Sequence, residues 1–283
     1  GLPASWPTVN ADSATTIDDL WHAAVNSRGR FLSAADPDEF AAALSGVLQE
    51  IVRREASEGG VAAASTTLQT NNRKYVPTYT TGIWAGDLAA YSLDSRGQQS
   101  SSPIWKASEH VPAFGARNIW VWKGPGGGAS AVPFTWTDLV ANGMSSDLGP
   151  GASEELVNYL RGERTREGLT YRERGSVLGD IVNSQPVFVK DLVDMQYGFL
   201  PAGTPGRDSY RAFLASKSAR TGAIAVGSND GMMHLFSDNG GAEIFAFIPR
   251  AVLSNMPLLA QNSYGHRYYV DGPIVESDAY WGG

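Results

Sequence analysis

The run AIAVGSNDGMMHLFSDNGGAEIFAFIPRAVL, Ala223 to Leu253, constrains this chain most. Ile224 and Val226 make a short β-branched strand. Asn229-Asp230-Gly231 then supplies the φ > 0 positions that a tight hairpin turn demands. Met233, Leu235 and Phe236 continue as a second strand. Asp238-Asn239-Gly240-Gly241 turns the chain again, and Ile244-Phe245-Ala246-Phe247-Ile248 reads as a third strand, followed by a helix. Three short strands joined by Asn/Asp/Gly turns form an up-and-down antiparallel unit, which is how β-propeller blades are built.

A blade cannot stand alone, so a second copy is expected. The run from Thr80 to Ala107 has the same order of parts. Ile83-Trp84 begins a strand, and Gly86-Asp87 stands where Asp230-Gly231 stands. Leu88 to Ser92 parallels Met233 to Ser237, Asp94 to Gly97 parallels Asp238 to Gly241, and Ile104-Trp105 parallels Ile244-Phe245. Gly231 and Gly241 are expected to hold positive φ, and Trp84, Trp105 and Phe245 are expected to be buried between blades.

Composition agrees with a folded, turn-rich chain. The 283 residues are 42% hydrophobic and 18% charged, which argues against global disorder and leaves enough chain for a sizeable core. The net charge of −7 argues against a nucleic-acid backbone as the main partner. The absence of Cys excludes disulfides, thiol catalysis and thiolate metal sites. No apolar run is long enough for a membrane-spanning helix, and Gly1 is not followed by a signal-peptide pattern. Both ends look cut. The N-terminal helices lack the strands they would cover, and the stretch up to Trp281-Gly282-Gly283 reads as another blade beginning.

The first sixty or so residues have α/β character. Thr16 to Val25 is expected to be a helix with Ile17, Leu20, Trp21 and Ala24 on one face. Asp36 as N-cap, Pro37 at N1 and Glu39 at N3 open a second helix, which carries Phe40, Leu44, Val47, Leu48, Ile51 and Val52, has Arg53 and Arg54 in its last turn and is stopped by Glu58-Gly59-Gly60. Ala62 to Thr70 is small and polar, a linker or an edge strand, and Tyr75 to Tyr79 is extended, with Pro77 marking an edge or first-strand position.

Between the two blade-like runs, Gly124 to Gly128 lacks the Gly-Lys-Ser/Thr ending of a phosphate loop and reads as a plain loop. Asn118 to Lys123 is a strand, Trp136 to Ala141 a short helix, and Ser153 caps another helix that buries Leu156, Val157 and Leu160. Arg161 to Arg174 holds five Arg and three Glu, which reads as a solvated loop, with a ligand-binding Arg cluster as the minority alternative. Leu178 to Val189 resumes strand character.

No catalytic constellation assembles from the sequence. His22, His110, His234 and His266 include no HxxxH pair and no evident carboxylate partner, and His234 reads as a packed strand residue. Gly227 to Gly231 lacks the G-x-S-x-G spacing of a nucleophile elbow. Asp230 and Glu243 could pair, but read better as turn and surface residues. The expectation is therefore no enzyme and no catalytic, cofactor-binding or metal residue.

The segments LRGERTREG…YRERGSVLGDIVNSQPVFV (Leu160 to Val189) and VGSNDGMMHLF…EIFAFIPRAVL…HRYYVDG (Val226 to Gly272) together resemble the PilC/PilY family of type IV pilus assembly and tip-associated adhesin proteins. The resemblance implies a mainly β fold, a partial β-propeller of antiparallel blades preceded by a small helical remnant of an α/β von Willebrand factor A-like domain. Residues 1–60 would be the C-terminal part of that domain, 61–74 a linker and 75–283 the N-terminal part of the propeller. It implies a noncatalytic role in pilus assembly, twitching motility and surface attachment, with pilin and minor pilins as partners and a host or abiotic surface as a further ligand. It also implies export to the cell surface, at the pilus tip or outer membrane.

Two departures limit the transfer. The family's Asp-rich calcium loop is absent, because Asp230, Asp238 and Asn239 lack its spacing, so no calcium ligand is carried over. The DxSxS adhesion motif is absent too, since Asp12-Ser13-Ala14 does not provide it, and neither Arg28-Gly29-Arg30 nor Arg161-Gly162-Glu163 is an RGD motif. The rival readings are a quinoprotein dehydrogenase using pyrroloquinoline quinone and Ca²⁺, whose blades share the Asp94-x-x-Gly97 then Trp105 plan, and a generic scaffold propeller.

Overall fold

The computed structural model describes residues 72–124 and 131–281, together with 13, 17, 21–24, 26, 41, 55–56 and 62–63. The chain divides into two compact units, Gly1–Arg54 and Glu55–Gly283. In the first, Ile17, residues 21–24 and Asn26 are helical, within and just past the stretch expected to be a helix. Ile17 and Trp21, placed on its apolar face by the sequence pattern, are 56% and 40% exposed. Ala41 is helical; the rest of the helix expected from Asp36 to Arg54 lies outside the described residues.

The second unit holds two sheets. The five-stranded sheet comprises β1 (Glu55–Ala56), β2 (Ala62–Ala63), β3 (Arg73–Thr80), β4 (Ala85–Ser92) and β5 (Trp105–Lys106), in the order β1-β3-β4-β5 with β2 also on β3. All its pairings are antiparallel. The stretch 61–74 thus contains β2 and the start of β3. β2 pairs with Lys74 and Tyr75, and β1 pairs with Tyr79 and Thr80, so Pro77 falls between them where no ladder bond needs its missing N–H.

The six-stranded sheet comprises β6 (Ile119–Trp122), β7 (Ala131–Pro133), β8 (Val187–Val189), β9 (Ala223–Gly227), β10 (Met233–Ser237) and β11 (Glu243–Ile248). Its order is β7-β6-β11-β10-β9-β8, antiparallel except for the parallel β6–β11 pair. The hairpins read from Ala223 to Ile248 form as expected, with Gly231, Gly240 and Gly241 all at positive φ, and a 3-10 helix follows from Arg250 to Ala260. Helices α1 (Trp136–Ala141) and α2 (Glu154–Leu160) start at Thr135 and Ser153, whose hydroxyls accept the N–H groups of Asp138 and Leu156. A third helix, α3 (Arg207–Ser218), lies between β8 and β9 and has no counterpart in the sequence reading.

The upstream copy exists as β3-β4-β5, but its first strand differs from expectation. Arg73–Thr80 pairs along its whole length with Ala85–Ser92, which leaves Ile83 and Trp84 in the connecting turn. Gly82, at φ 82°, supplies the left-handed position there, and Trp84 is itself at φ 51°. Gly86-Asp87 lies inside β4 rather than in a turn. Gly86 is needed because its N–H donates to Leu178 O at 3.1 Å, and a side chain there would collide with the Gly179 backbone.

Leu178 to Pro186 is also not a strand; only Val187–Val189 is. Its backbone N–H groups go to side chains instead, at Asp271 and Asp230. Residues 261–281, read as a new blade beginning, likewise form no strand. They are pinned by the side chains of His266, Asp271 and Asp278.

One face of the six-stranded sheet carries both hydrophobic cores. Ile224, Val226 and Phe236 pack against Tyr75, Leu88, Ala90 and Trp105 of the five-stranded sheet. Ile119, Val121, Ala246 and Ile248 pack under α1, α2 and the 3-10 helix. Trp105 is buried as expected, whereas Trp84 and Phe245 are only half-buried. Trp84 stacks on His266 from its turn, and Phe245 points to the opposite face of the sheet from Ala246.

The two sheets are clamped at the turn after β10. Asp238 Oδ1 accepts from Arg73 Nη1 at 2.5 Å and from Tyr75 OH at 2.6 Å, while Trp105 Nε1 donates to Asp238 O at 3.0 Å. Gly241, at φ 74°, lies against the Trp105 ring, where an added Cβ would come within 2.5 Å of Cε3. Gly240, at φ 93°, has open space around it. Gly240→Ala is therefore expected to cost only the left-handed backbone share, about 1–2 kcal/mol, and Gly241→Ala clearly more. Urea unfolding of both variants checks the difference.

Candidate functional site

Between the two cores the buried face of the six-stranded sheet turns polar. His234 sits at the centre of β10, opposite Val226 on β9 and the small Ala246 on β11, which leaves room for an imidazole. The pairing shifts between Leu235 and Phe236, so that Leu235 faces Phe245 while Phe236 faces Glu243. Ile244 is the extra residue of this bulge and is exposed. One inserted residue turns Glu243 from the solvent face to the buried face.

Four side chains are then linked in a row. Arg117 grips Glu243 through two bonds, Nε to Oε2 at 2.7 Å and Nη2 to Oε1 at 2.6 Å. Both side chains are 1% exposed. His234 Nδ1 lies 2.8 Å from Glu243 Oε1, and its Nε2 lies 3.0 Å from Asp230 Oδ2. Asp230, held by its turn, also accepts from Met232 N and Gly179 N. Arg117 Nη1 donates to Arg161 O, and the Arg161 guanidinium is spent on the carbonyls of Phe114, Arg117 and Phe134.

The protonation states follow from this geometry. Burial alone would lower the His234 pKa; the Asp230 charge, its hydrogen bond and the Glu243 bond overcome this and push it up to about 9. Burial would raise Glu243, but the bonds from Arg117 and His234 bring it down to about 2. Burial likewise opposes ionisation of Asp230, and the His234 charge wins, lowering it. Two cations therefore face two anions. Both imidazole nitrogens donate, so His234 has no free lone pair with which to act as a base.

A second polar group adjoins the first. Asp180 Oδ2 accepts from Asn229 Nδ2 at 2.7 Å and from His266 Nε2 at 2.8 Å. Burial raises the Asp180 pKa, against the lowering effect of these two bonds. Asp271 fills a nest of the consecutive N–H groups of Val182, Asn183 and Ser184. Trp84 stacks on the His266 ring at 3.7 Å. The cavity left beside Asp180, Asp230 and Tyr264 is about 20 Å³, room for one water. Among the described residues, no group of three or more His, Cys, Asp or Glu side chains is arranged to hold a metal ion.

A family model described as the PilY1 beta-propeller domain matches residues 178–282, which include Asp180, Asp230, His234, Glu243, His266 and Asp271. The Type IV pilus biogenesis factor PilY1 of Pseudomonas aeruginosa (strain PAK) is 34% identical over 304 residues, covering 99% of this chain and 26% of that protein. A PilY1 homolog of Xylella fastidiosa (strain Temecula1) is 35% identical over 254 residues, covering 88% of this chain and 20% of that protein. The chain belongs to the PilC/PilY family. It spans about a quarter of the length of the first of these relatives. No solved structure is significantly similar to it.

This PilC/PilY chain corrects several expectations about its polar residues. His234 does have carboxylate partners, two of them, and His266 has Asp180. Asp230 and Glu243 are brought together around His234 instead of serving as separate turn and surface residues. Arg161 to Arg174 is a solvated loop only in part: Arg164, Arg166 and Glu173 are exposed, whereas Arg161 and Arg174 are buried. Arg174 is buried, pairs with Glu167 at 2.7 Å, donates to the carbonyls of Tyr159 and Glu163, and lies 3.8 Å over the Tyr159 ring. Arg172 covers Tyr264 in the same way and donates to Leu259 O. Exposed pairs such as Arg166–Glu155 complete the stretch. Arg117, Asp180 and Asp271 carried no local signal, since each finds its partners dozens of residues away.

Two outcomes follow. Glu243→Ala leaves Arg117 and His234 charged and buried, and is expected to cost about 3–5 kcal/mol in chemical denaturation. The pH dependence has two limbs. The raised His234 pKa gives stability that is full below about 6.5 and declines as pH rises through about 9. The depressed Glu243 pKa gives stability that is full above about 4.5 and declines as pH falls toward about 2. Denaturation midpoints of the wild type are expected to fall between pH 6.5 and 9, and those of His234→Gln, lower throughout, to be flatter across that interval.

Proposed function

We infer that this chain is the blade-bearing part of a noncatalytic type IV pilus biogenesis factor and tip-associated adhesin. The pilus role is supported by the relatives, which are named type IV pilus biogenesis factors. The observation that carries the noncatalytic reading is that His234, the one fully buried histidine, is sealed between two carboxylates with no acceptor left over. A site built this way fixes backbone segments and does not move protons.

In this reading the first unit, up to Arg54, is the closing part of a von Willebrand factor A-like domain, residues 55–74 lead into the blades, and 75–283 begin a propeller that docks protein partners. Those partners are pilin and minor pilins, and a host or abiotic surface is the adhesin's ligand. The full-length protein is exported and sits at the cell surface, at the pilus tip or outer membrane. A retracting filament loads such a protein along its length. The Asp238 clamp and the Arg117–Glu243 pair join segments far apart in sequence, so force applied to one strand is shared among several.

The test is genetic. A strain lacking the gene for the full-length protein is expected to lose surface pili and twitching, measured by immunoblot of sheared pilin and by colony spreading. Wild-type full-length protein should restore both, and the Glu243→Ala form should restore less in proportion to its lost stability. Normal piliation in the deletion strain would overturn the assignment.

A further inference from the structure

Residues 190–222, between β8 and β9, lie outside both hydrophobic cores. They are held to residues 276–278 by a buried polar knot centred on Lys217, in the last turn of α3. Lys217 Nζ donates to Asp278 Oδ1 and to Val193 O, each at 2.7 Å, and lies 3.7 Å from Glu276 Oε1. Tyr210 OH donates to the other Asp278 oxygen, Oδ2, at 2.6 Å. Tyr210, Phe213 and Lys217 follow one another at helical spacing on α3, and the Phe213 ring centroid is 5.6 Å from Nζ.

Two features distinguish this knot from a surface ion pair. The first is dryness. The side chains of Lys217 and Asp278 are 2% and 5% exposed, so both charges have lost their water. The second is Glu276. Its Oε2 is buried with no hydrogen-bond partner, the single such side-chain atom among the described residues. A buried acceptor left over is costly, and a proton on that carboxyl lowers the cost. Burial raises the Glu276 pKa accordingly, ahead of the opposing pull of Lys217. An amine, a carboxyl in contact with it and a second carboxyl able to carry a proton are the parts from which an amide is made.

We propose that Lys217 and Asp278 join in an intramolecular amide bond, with Glu276 as the proton carrier. Glu276 passes its proton to Asp278 Oδ1 and recovers one from the ammonium, which frees the Nζ lone pair. Nζ attacks Asp278 Cγ, and Tyr210 OH, already on Oδ2, stabilises the negative charge that develops there. A second proton travels from the nitrogen through Glu276 to Oδ1. The Cγ–Oδ1 bond breaks, water leaves, and Oδ2 stays as the amide carbonyl. Ammonium and carboxylate have become amide and water, Glu276 ends as it began, and no co-reactant is consumed.

Contact between the partners supplies the effective concentration that separate molecules lack, and the dry site disfavours the reverse hydrolysis. The product replaces two buried charges with a neutral group. It closes a loop from residue 217 to residue 278 that contains β9, β10 and β11. The inference stands apart from the pilus reading, because its test is a mass.

That test is the intact mass of the purified 283-residue chain under denaturing conditions. The wild type is expected to weigh one water less than its sequence, and a protease digest to yield a branched peptide joining Lys217 to Asp278. Lys217→Arg keeps the cation and removes the nucleophile, so it should show the full sequence mass. Glu276→Gln keeps the shape and should link about a hundredfold more slowly, leaving full-mass chain in fresh preparations. Circular dichroism establishes that the variants fold. Full sequence mass in the folded wild type overturns the proposal. So does a water loss that survives Lys217→Arg, which marks cyclisation at Asp230-Gly231 or Asp271-Gly272 instead. A wild-type digest without the branched peptide overturns it even where a variant does not fold, and linking of Glu276→Gln at the wild-type rate overturns the role of Glu276.

Discussion

The buried relay from Arg117 through Glu243 and His234 to Asp230 is the interaction on which the rest of this unit depends. It sits on the sheet face shared by the two hydrophobic cores and separates them. Removing ions from water is costly, and they are tolerated here because every donor meets an acceptor and the charges balance. The geometry also dictates which segments meet. Arg117 precedes β6, Glu243 opens β11, and Asp230 lies in the turn before β10, so their mutual satisfaction fixes the parallel β6–β11 pairing. An apolar replacement would keep the burial and lose that registration.

The second device is the Asp238 turn, which joins sheet to sheet. A single aspartate takes a guanidinium and a phenol on its side chain and an indole N–H on its carbonyl. Together with the Trp105–Gly241 contact this makes the blade-to-blade junction specific rather than merely hydrophobic. Residues 261–281 show a third version of the same economy. Without strand hydrogen bonds, they are fixed by His266, Asp271 and Asp278 docking into Asp180, the 182–184 nest and Lys217. Carboxylates do in this protein what ladder hydrogen bonds do in more regular ones.

Local chemistry explains which parts were legible in advance. The Asn229–Gly231 and Asp238–Gly241 turns announce themselves because positive φ needs Gly, and alternating apolar residues between them leave strand as the only partner. The caps at Thr135 and Ser153 are equally local. The first strand of the upstream blade was misplaced because Gly82 marks its turn without an Asn or Asp beside it, while Gly86 looks like a turn residue and serves close backbone packing. Helix α3 escaped notice because it is exposed on most sides, and its apolar face is only the short set Tyr210, Phe213 and Leu214 in an otherwise polar sequence.

The sequence by itself determined the antiparallel hairpins, the helix starts and the family, because each rests on residues within a few positions of one another or on long matched segments. Only the tertiary structure decided the fate of the charges. Glu243 faces inward because of a single bulge at Ile244, and Arg161 and Arg174 are buried because carbonyls and rings converge on them from distant segments. A run of alternating charges reads the same in sequence whether water or protein satisfies it. The difference lies in the low dielectric of the interior, where a charge persists only when folding has already brought its counterpart within hydrogen-bond reach.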